Sequence, residues 1–201
     1  MVDTVIFDLD GTLTLVPNPW RHVHERLGLW DGLASGFLDQ WLAGGIPYEE
    51  FCRRDFGLWK GLRLEEIEAL LEEIEINPHL PAIVARLREQ SIQSLIITSG
   101  FSCVAHRIQS KFEWEPLRIY ANDLLDGPEV RIRVSADLDS PLSKKRLAET
   151  ALSEIGGDPR RSLVVSDSKR DLEMMAQCRY KLLVENEADL AEVHGFLDLR
   201  E

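Results

Sequence analysis

Short, unbroken apolar runs separated by amphipathic stretches set the pattern of this chain. Val2–Asp8, Ser94–Thr98, Leu117–Tyr120, Ser162–Ser166 and Tyr180–Val184 each read as a strand. Runs with so little alternation belong to strands covered on both faces, as in a parallel sheet. Between them, apolar positions recur at helical spacing near 79–91, 102–113, 143–155 and 169–177. The alternation predicts an α/β fold, a doubly wound parallel sheet. Asp126-Gly127-Pro128 lies between Leu124-Leu125 and the run 130–134, which predicts a small hairpin.

Residues 17–76 break the alternation and hold four of the five tryptophans, Trp20, Trp30, Trp41 and Trp59. The stretch predicts a small helical unit inserted after the first strand, with 1–16 and 77–201 forming the core. Its last helix is legible. Leu64, Ile67, Leu70, Leu71 and Ile74 share one face, while Glu65, Glu66, Glu68, Glu72, Glu73 and Glu75 take the other as a solvated surface. Asn77-Pro78 ends it.

A chain of 201 residues with 44% hydrophobic and 29% charged residues can build one core and a subdomain. It has no apolar run long enough for a spanning helix and no basic segment before its first apolar run. A cytoplasmic location is the expectation. Cys52, Cys103 and Cys178 are widely spaced and read as buried or incidental thiols, not a disulfide framework or zinc site. The net charge of −12 argues against nucleic acid or an acidic membrane as partner. An acidic protein that handles an anion needs local positive charge or a metal. Lys144-Lys145-Arg146 and Lys169-Arg170 are the basic clusters near the residues considered next.

The first strand runs into Asp8-Leu9-Asp10-Gly11-Thr12. Alternation along a strand points Asp8 and Asp10 the same way. Two such carboxylates repel unless a divalent cation or a shared proton compensates, and hard cations such as Mg²⁺ prefer oxygen ligands. The pair therefore indicates metal-assisted chemistry with one Asp free as nucleophile. Ligands gather beyond the carboxyl ends of strands in such sheets. Thr98-Ser99-Gly100 ends a second strand, Ser166-Asp167-Ser168 ends another with Asp171 soon after, and Ser143-Lys144 opens a helix. The five histidines form no ligand pattern, and His22 and His24 read as surface residues.

This set resembles the haloacid dehalogenase superfamily of phosphotransferases over nearly the whole chain. Asp8 to Thr12 match its D-x-D-G-T motif. Thr98, with Ser99 as the neighbouring alternative, matches the Ser or Thr that closes a strand. Lys144, with Lys145 beside it, matches the Lys, and Asp167 with Asp171 match the final pair. Thr98-Ser99-Gly100-Phe101, the helical insertion and the hairpin are similar to the phosphoserine-phosphatase-like branch. The resemblance implies a Rossmann-like core with a cap, and a Mg²⁺-dependent phosphomonoesterase acting on a small phosphate ester through an aspartyl-phosphate. It implies Asp8 as nucleophile, Asp10 as acid and base, and Mg²⁺ on Asp8, Asp167 and the backbone carbonyl of Asp10. Thr98, Lys144 and amides around Gly11, Thr12, Ser99 and Gly100 are expected to hold the phosphoryl group, with Asp171 orienting Lys144 or metal-bound water.

The sequence also departs from that pattern. Serines flank Asp167 where the family usually has Gly. The Glu that grips the amino acid head falls on Pro17, and the matching Arg falls on Asp55, just after Arg53 and Arg54. Arg53 and Trp20 remain candidate substrate contacts, and Trp20, Phe56 and Trp59 are expected to make an aromatic cap face. Asp10 and Asp167 argue against carbon–halogen hydrolysis. A phosphomutase or phosphotransferase of the same fold, or a non-catalytic binding module, stays open as an alternative.

Overall fold

The computed structural model describes residues 1–135 and 141–198. Six strands form one sheet: β1 (Thr4–Phe7), β2 (Gln93–Phe101), β3 (Arg118–Leu125), β4 (Arg131–Arg133), β5 (Ser162–Ser166) and β6 (Tyr180–Leu183). Their spatial order is β4-β3-β2-β1-β5-β6. All neighbours pair in parallel except β3 and β4, which form the expected hairpin. β1 lies between β2 and β5 and is buried along its length, as an unbroken apolar run demands.

The two sheet faces follow strand alternation. Val5, Phe7, Ile96, Leu163 and Val165 join one core cluster; Ile6, Leu95, Ile97 and Val164 join the other. Helix α5 (Leu80–Glu89) buries Leu80, Ile83, Val84 and Leu87, one face of a 3.6-residue period. Helix α7 (Pro141–Ile155) brings Ala148, Ala151 and Leu152 to the second cluster. The helix predicted over 169–177 is instead a 3₁₀ turn at Lys169–Asp171 followed by the single-turn helix α8 (Leu172–Met175). The Ser168 hydroxyl accepts from the Arg170 amide there and favours the tighter turn. The chain closes with α9 (Val193–Leu197), which packs on α5.

Between β1 and α5 lie α1 (Pro19–Arg26), a kinked turn leading into α2 (Ser35–Leu42), α3 (Tyr48–Gly57) and α4 (Leu64–Glu72). The way out of the sheet and the way back run side by side. Thr14 pairs with Ile76, Leu15 N donates to Glu75 O (2.9 Å), and Asn77 N donates to Leu13 O (2.9 Å). The hairpin touches this helical segment too, since Val130 N donates to Leu62 O (2.9 Å).

Trp59 is the hub of the helical segment. It is fully buried, with ring centroids 5.6 Å from Trp20, 5.3 Å from Phe56 and 5.9 Å from Phe101. Its indole Nε1 donates to Nδ1 of His24 (3.3 Å), which fixes His24 Nδ1 as the unprotonated nitrogen. Nε2 of His24 lies 3.0 Å from Asp55 Oδ2. His24 is therefore a core residue rather than a surface one. His22 is mostly covered as well, with Nε2 against Leu70 O (3.0 Å). His24 lies on the buried face of α1 with Trp20 and Val23, while His22 lies on a different side, against α4. Trp59→Ala is expected to cost about 3–5 kcal/mol by leaving a large cavity and an unpartnered His24. Urea unfolding at unchanged slope measures this, and a loss below about 1 kcal/mol counts against Trp59 as the hub.

Candidate active site

A cleft of about 530 Å³ opens beyond the carboxyl ends of β1, β2 and β5, where the strand order turns back on β1. Asp8 continues the edge of β1, its amide donating to Val165 O (2.9 Å). The chain then tightens: the amides of Leu13 and Thr14 donate to Leu9 O at 2.9 and 3.1 Å. Gly11 takes φ +75°, and a Cβ there would collide with the Asp167 carboxylate. At Gly100, a Cβ would collide with the Asp10 carboxylate. Both glycines therefore admit a carboxyl group against the backbone.

Lys144 reaches in from α7 and lies between two acids. Its Nζ is 3.3 Å from Asp8 Oδ1 and 3.1 Å from Asp171 Oδ2. The Ser166 hydroxyl donates to Asp171 Oδ2 (2.8 Å) and accepts from Ser168 N (3.1 Å). The serine that departs from the expected glycine thus braces the turn and the acid together. The Asp167 amide donates to Thr12 Oγ1 (2.9 Å), tying this turn to the first. Thr98 Oγ1 donates to Asp10 Oδ2 (2.6 Å) and accepts from Gly100 N (2.9 Å). Ser99 O accepts from Trp20 Nε1 (3.3 Å) and Asn122 Nδ2 (2.8 Å), and Asn122 also donates to the Tyr48 hydroxyl (3.1 Å).

The structure brings Asp8, Asp10, Ser99, Gly100, Lys144, Asp167, Asp171 and Trp20 to the cleft. Gly11, Thr12 and Thr98 lie beneath its lining, so Thr98 holds Asp10 rather than presenting its hydroxyl. Arg53 stands outside: its side chain is 70% exposed and pairs with Glu50 (2.6 Å) on the same helix. An i, i+3 partner on α3 satisfies it without the cleft. Of the three expected aromatic residues only Trp20 lines the cleft, because Trp59 is consumed by the core. Trp41, Tyr48 and Phe51 complete the wall. Residues missed in sequence were Ser166, Asn122 and these three rings; serine flanking Asp167 was the one available signal.

A family model for haloacid dehalogenase-like hydrolases matches residues 5–176. The chain belongs to this family. The chain is 26% identical to the phosphoserine phosphatase of Bos taurus over 124 residues, covering 61% of this chain and 54% of that protein. It is 24% identical to the phosphoserine phosphatase of Polaromonas sp. over 179 residues, covering 86% of this chain and 75% of that one. The chain spans about half the length of the mammalian relatives it matches. A structure of a phospho-aspartyl intermediate analogue of phosphoserine phosphatase superposes with a TM-score of 0.73 at 18% identity, covering 95% of this chain and 90% of that one. The likeness establishes a common fold.

Burial sets the electrostatics of the cleft. It pushes the Asp8 carboxyl well up; Lys144 draws it back, and Asp171, Asp10 and Asp167 add repulsion. Burial lifts Asp10 to about 7 against the Thr98 hydrogen bond and Lys144. Asp167 rises to about 6 through burial and the repulsion of Asp171. Burial also penalises the Lys144 ammonium, but Asp8 and Asp171 outweigh it and hold its pKa above the ordinary range.

These acids outnumber the one ammonium among them, and every donor is a hard oxygen. Asp10 Oδ1 is buried without a hydrogen-bond partner. A carboxylate-rich, all-oxygen site with an unpartnered oxygen suits Mg²⁺, which keeps several waters and takes one or two carboxylates together with a phosphate. The folded chain without metal holds protons on Asp10 and Asp167 at pH values where the unfolded chain has released them. Stability contributed by these groups therefore falls as pH rises from about 4 to about 7. The melting temperature after chelation should fall between about pH 5 and about pH 7.5, and Mg²⁺ should raise it more at the higher pH. A Mg²⁺-induced rise equal at both pH values contradicts the assignment.

Proposed function

We propose that this chain is a Mg²⁺-dependent phosphomonoesterase acting on a small phosphorylated metabolite through an aspartyl-phosphate on Asp8. The observation that carries this reading is Asp8 held 3.3 Å from a buried Lys144, beside a second buried carboxyl, Asp10, fixed by the Thr98 hydroxyl at 2.6 Å. Residues 1–16 and 77–201 act as the catalytic core, and 17–76 act as a cap over the cleft.

A carboxylate oxygen of Asp8 attacks phosphorus, and the bond from phosphorus to the alcohol oxygen breaks. Asp10 gives its proton to that oxygen, so a neutral alcohol leaves. Water then attacks the phosphorus of the acyl phosphate, Asp10 takes its proton, and the Asp8–phosphorus bond breaks to release inorganic phosphate. One hard displacement becomes two easier ones. Lys144, anchored by Asp171, neutralises charge on the transferring group. Thr98 acts on the reaction through Asp10, keeping the acid turned toward the leaving oxygen. Asp8, Asp167 and the Asp10 backbone carbonyl would hold Mg²⁺, which when bound supplies positive charge that screens the nucleophile from the phosphate.

Phosphate release from a generic aryl phosphate, with Mg²⁺ and after chelation, is the direct test; no Mg²⁺-dependent release overturns the reading. Asp8→Asn is expected to abolish turnover with an unchanged far-UV circular dichroism spectrum. Asp10→Asn should lower kcat by about 10²–10⁴-fold. Asp167→Asn should raise the Mg²⁺ concentration for half-maximal rate about tenfold or more, since it removes one of few carboxylates. An unchanged metal titration for that variant removes Asp167 from the metal site.

A further inference from the structure

The cleft wall opposite the phosphate pocket has a one-sided chemistry. The helical segment supplies it with Trp20, Leu38, Trp41, Leu42, Tyr48 and Phe51. Every charged side chain on the cleft comes instead from the ends of β1 and β5 and from α7. The nearby charges of α3 are spent elsewhere, Arg53 on Glu50 (2.6 Å) in solvent and Asp55 against buried His24 (3.0 Å). An ammonium on the alcohol half of a substrate would lose water here and meet no opposite charge from this wall.

The wall also discriminates among uncharged groups. Trp41 stacks on Phe51, with centroids 5.1 Å apart and planes 13° apart, and the Arg170 guanidinium sits over the Trp41 ring at 4.3 Å. The cation over Trp41 adds positive potential to this wall and disfavours an onium group, while the clustered rings offer a flat apolar area that another aromatic ring covers best.

We infer that the alcohol half of the substrate carries an aromatic ring that packs against Trp41, Tyr48 and Phe51. The inference rests on the phosphatase reading above, and it specifies what that reading leaves open. The cleft volume of about 530 Å³ accommodates a ring and a phosphoryl group.

The test compares four phosphate esters of primary alcohols, so that the leaving oxygen is of one type: 2-phenylethyl phosphate, butyl phosphate, phosphocholine and O-phospho-L-serine. With Mg²⁺, 2-phenylethyl phosphate should have the highest kcat/KM, by about tenfold or more, mainly through KM. Trp41→Ala should raise KM for 2-phenylethyl phosphate about tenfold, several times more than for butyl phosphate, with Trp41→Phe restoring most of the loss. Equal or better turnover of butyl phosphate, phosphocholine or phosphoserine overturns the inference and leaves the phosphatase reading standing. Release from none of the four overturns the phosphatase reading instead. Calorimetry with 2-phenylethylphosphonate and butylphosphonate then decides the inference separately: tighter binding of the aromatic phosphonate supports it, and equal affinity sinks it.

Discussion

The buried ion group of Lys144 with Asp8 and Asp171 is the constraint around which the rest of the cleft is arranged. Taking three charges from water is costly, and the cost is met only if each finds partners at close range. Here Lys144 serves two carboxylates, and Ser166 gives Asp171 a further hydrogen bond. The three charged residues come from β1, α7 and the turn after β5, segments far apart in sequence. They meet because β1 pairs with β5 and α7 packs beside the 3₁₀ turn. A sheet order that placed β1 at an edge would leave Asp8 open to water and its charge unremarkable. The central position of an apolar β1 is thus a chemical requirement as well as a packing one.

A second, quieter arrangement governs Asp10. Thr98 and Gly100 act as one device, the hydroxyl bonding the carboxyl while the missing side chain of Gly100 makes room for it. The two acids of the first motif therefore sit in different surroundings, one beside an ammonium and one beside a hydroxyl. Neighbouring carboxylates in unlike environments are how one site holds an acid in both its charged and neutral forms at the same pH.

The sheet was legible because burial on both faces writes itself into unbroken apolar runs, and the hairpin because Asp-Gly-Pro interrupts one. The segment 17–76 could be recognised as helical from its break in rhythm. Its interior could not be read, because aromatic residues look alike in sequence whether they fill a core or face a cleft. Trp59 and Trp41 show this: the first packs against four rings, while the second sits beside Arg170, a partner far away in the chain. His24 read as a surface residue and Asp55 only as the place of a missing Arg, and their mutual approach makes them a buried pair. Arg53 looked available for an anion, but Glu50 one turn earlier claims it. Thr98 was legible as a strand-ending hydroxyl, but which way it turned depended on Asp10. Local pattern reports periodicity and composition; who meets whom across the fold is a long-range property.

The pairing of Thr14 with Ile76 has a consequence of a different kind. The chain leaves the sheet and returns to it through a narrow two-stranded neck whose ends are hydrogen-bonded neighbours. Closing a loop of this kind depends weakly on how long it is. What is threaded above the neck can change in length, helix count or lining without moving Asp8, Lys144 or Asp171. Such a molecule can exchange the molecules it recognises while its reactive end stays fixed, much as a handle accepts different heads.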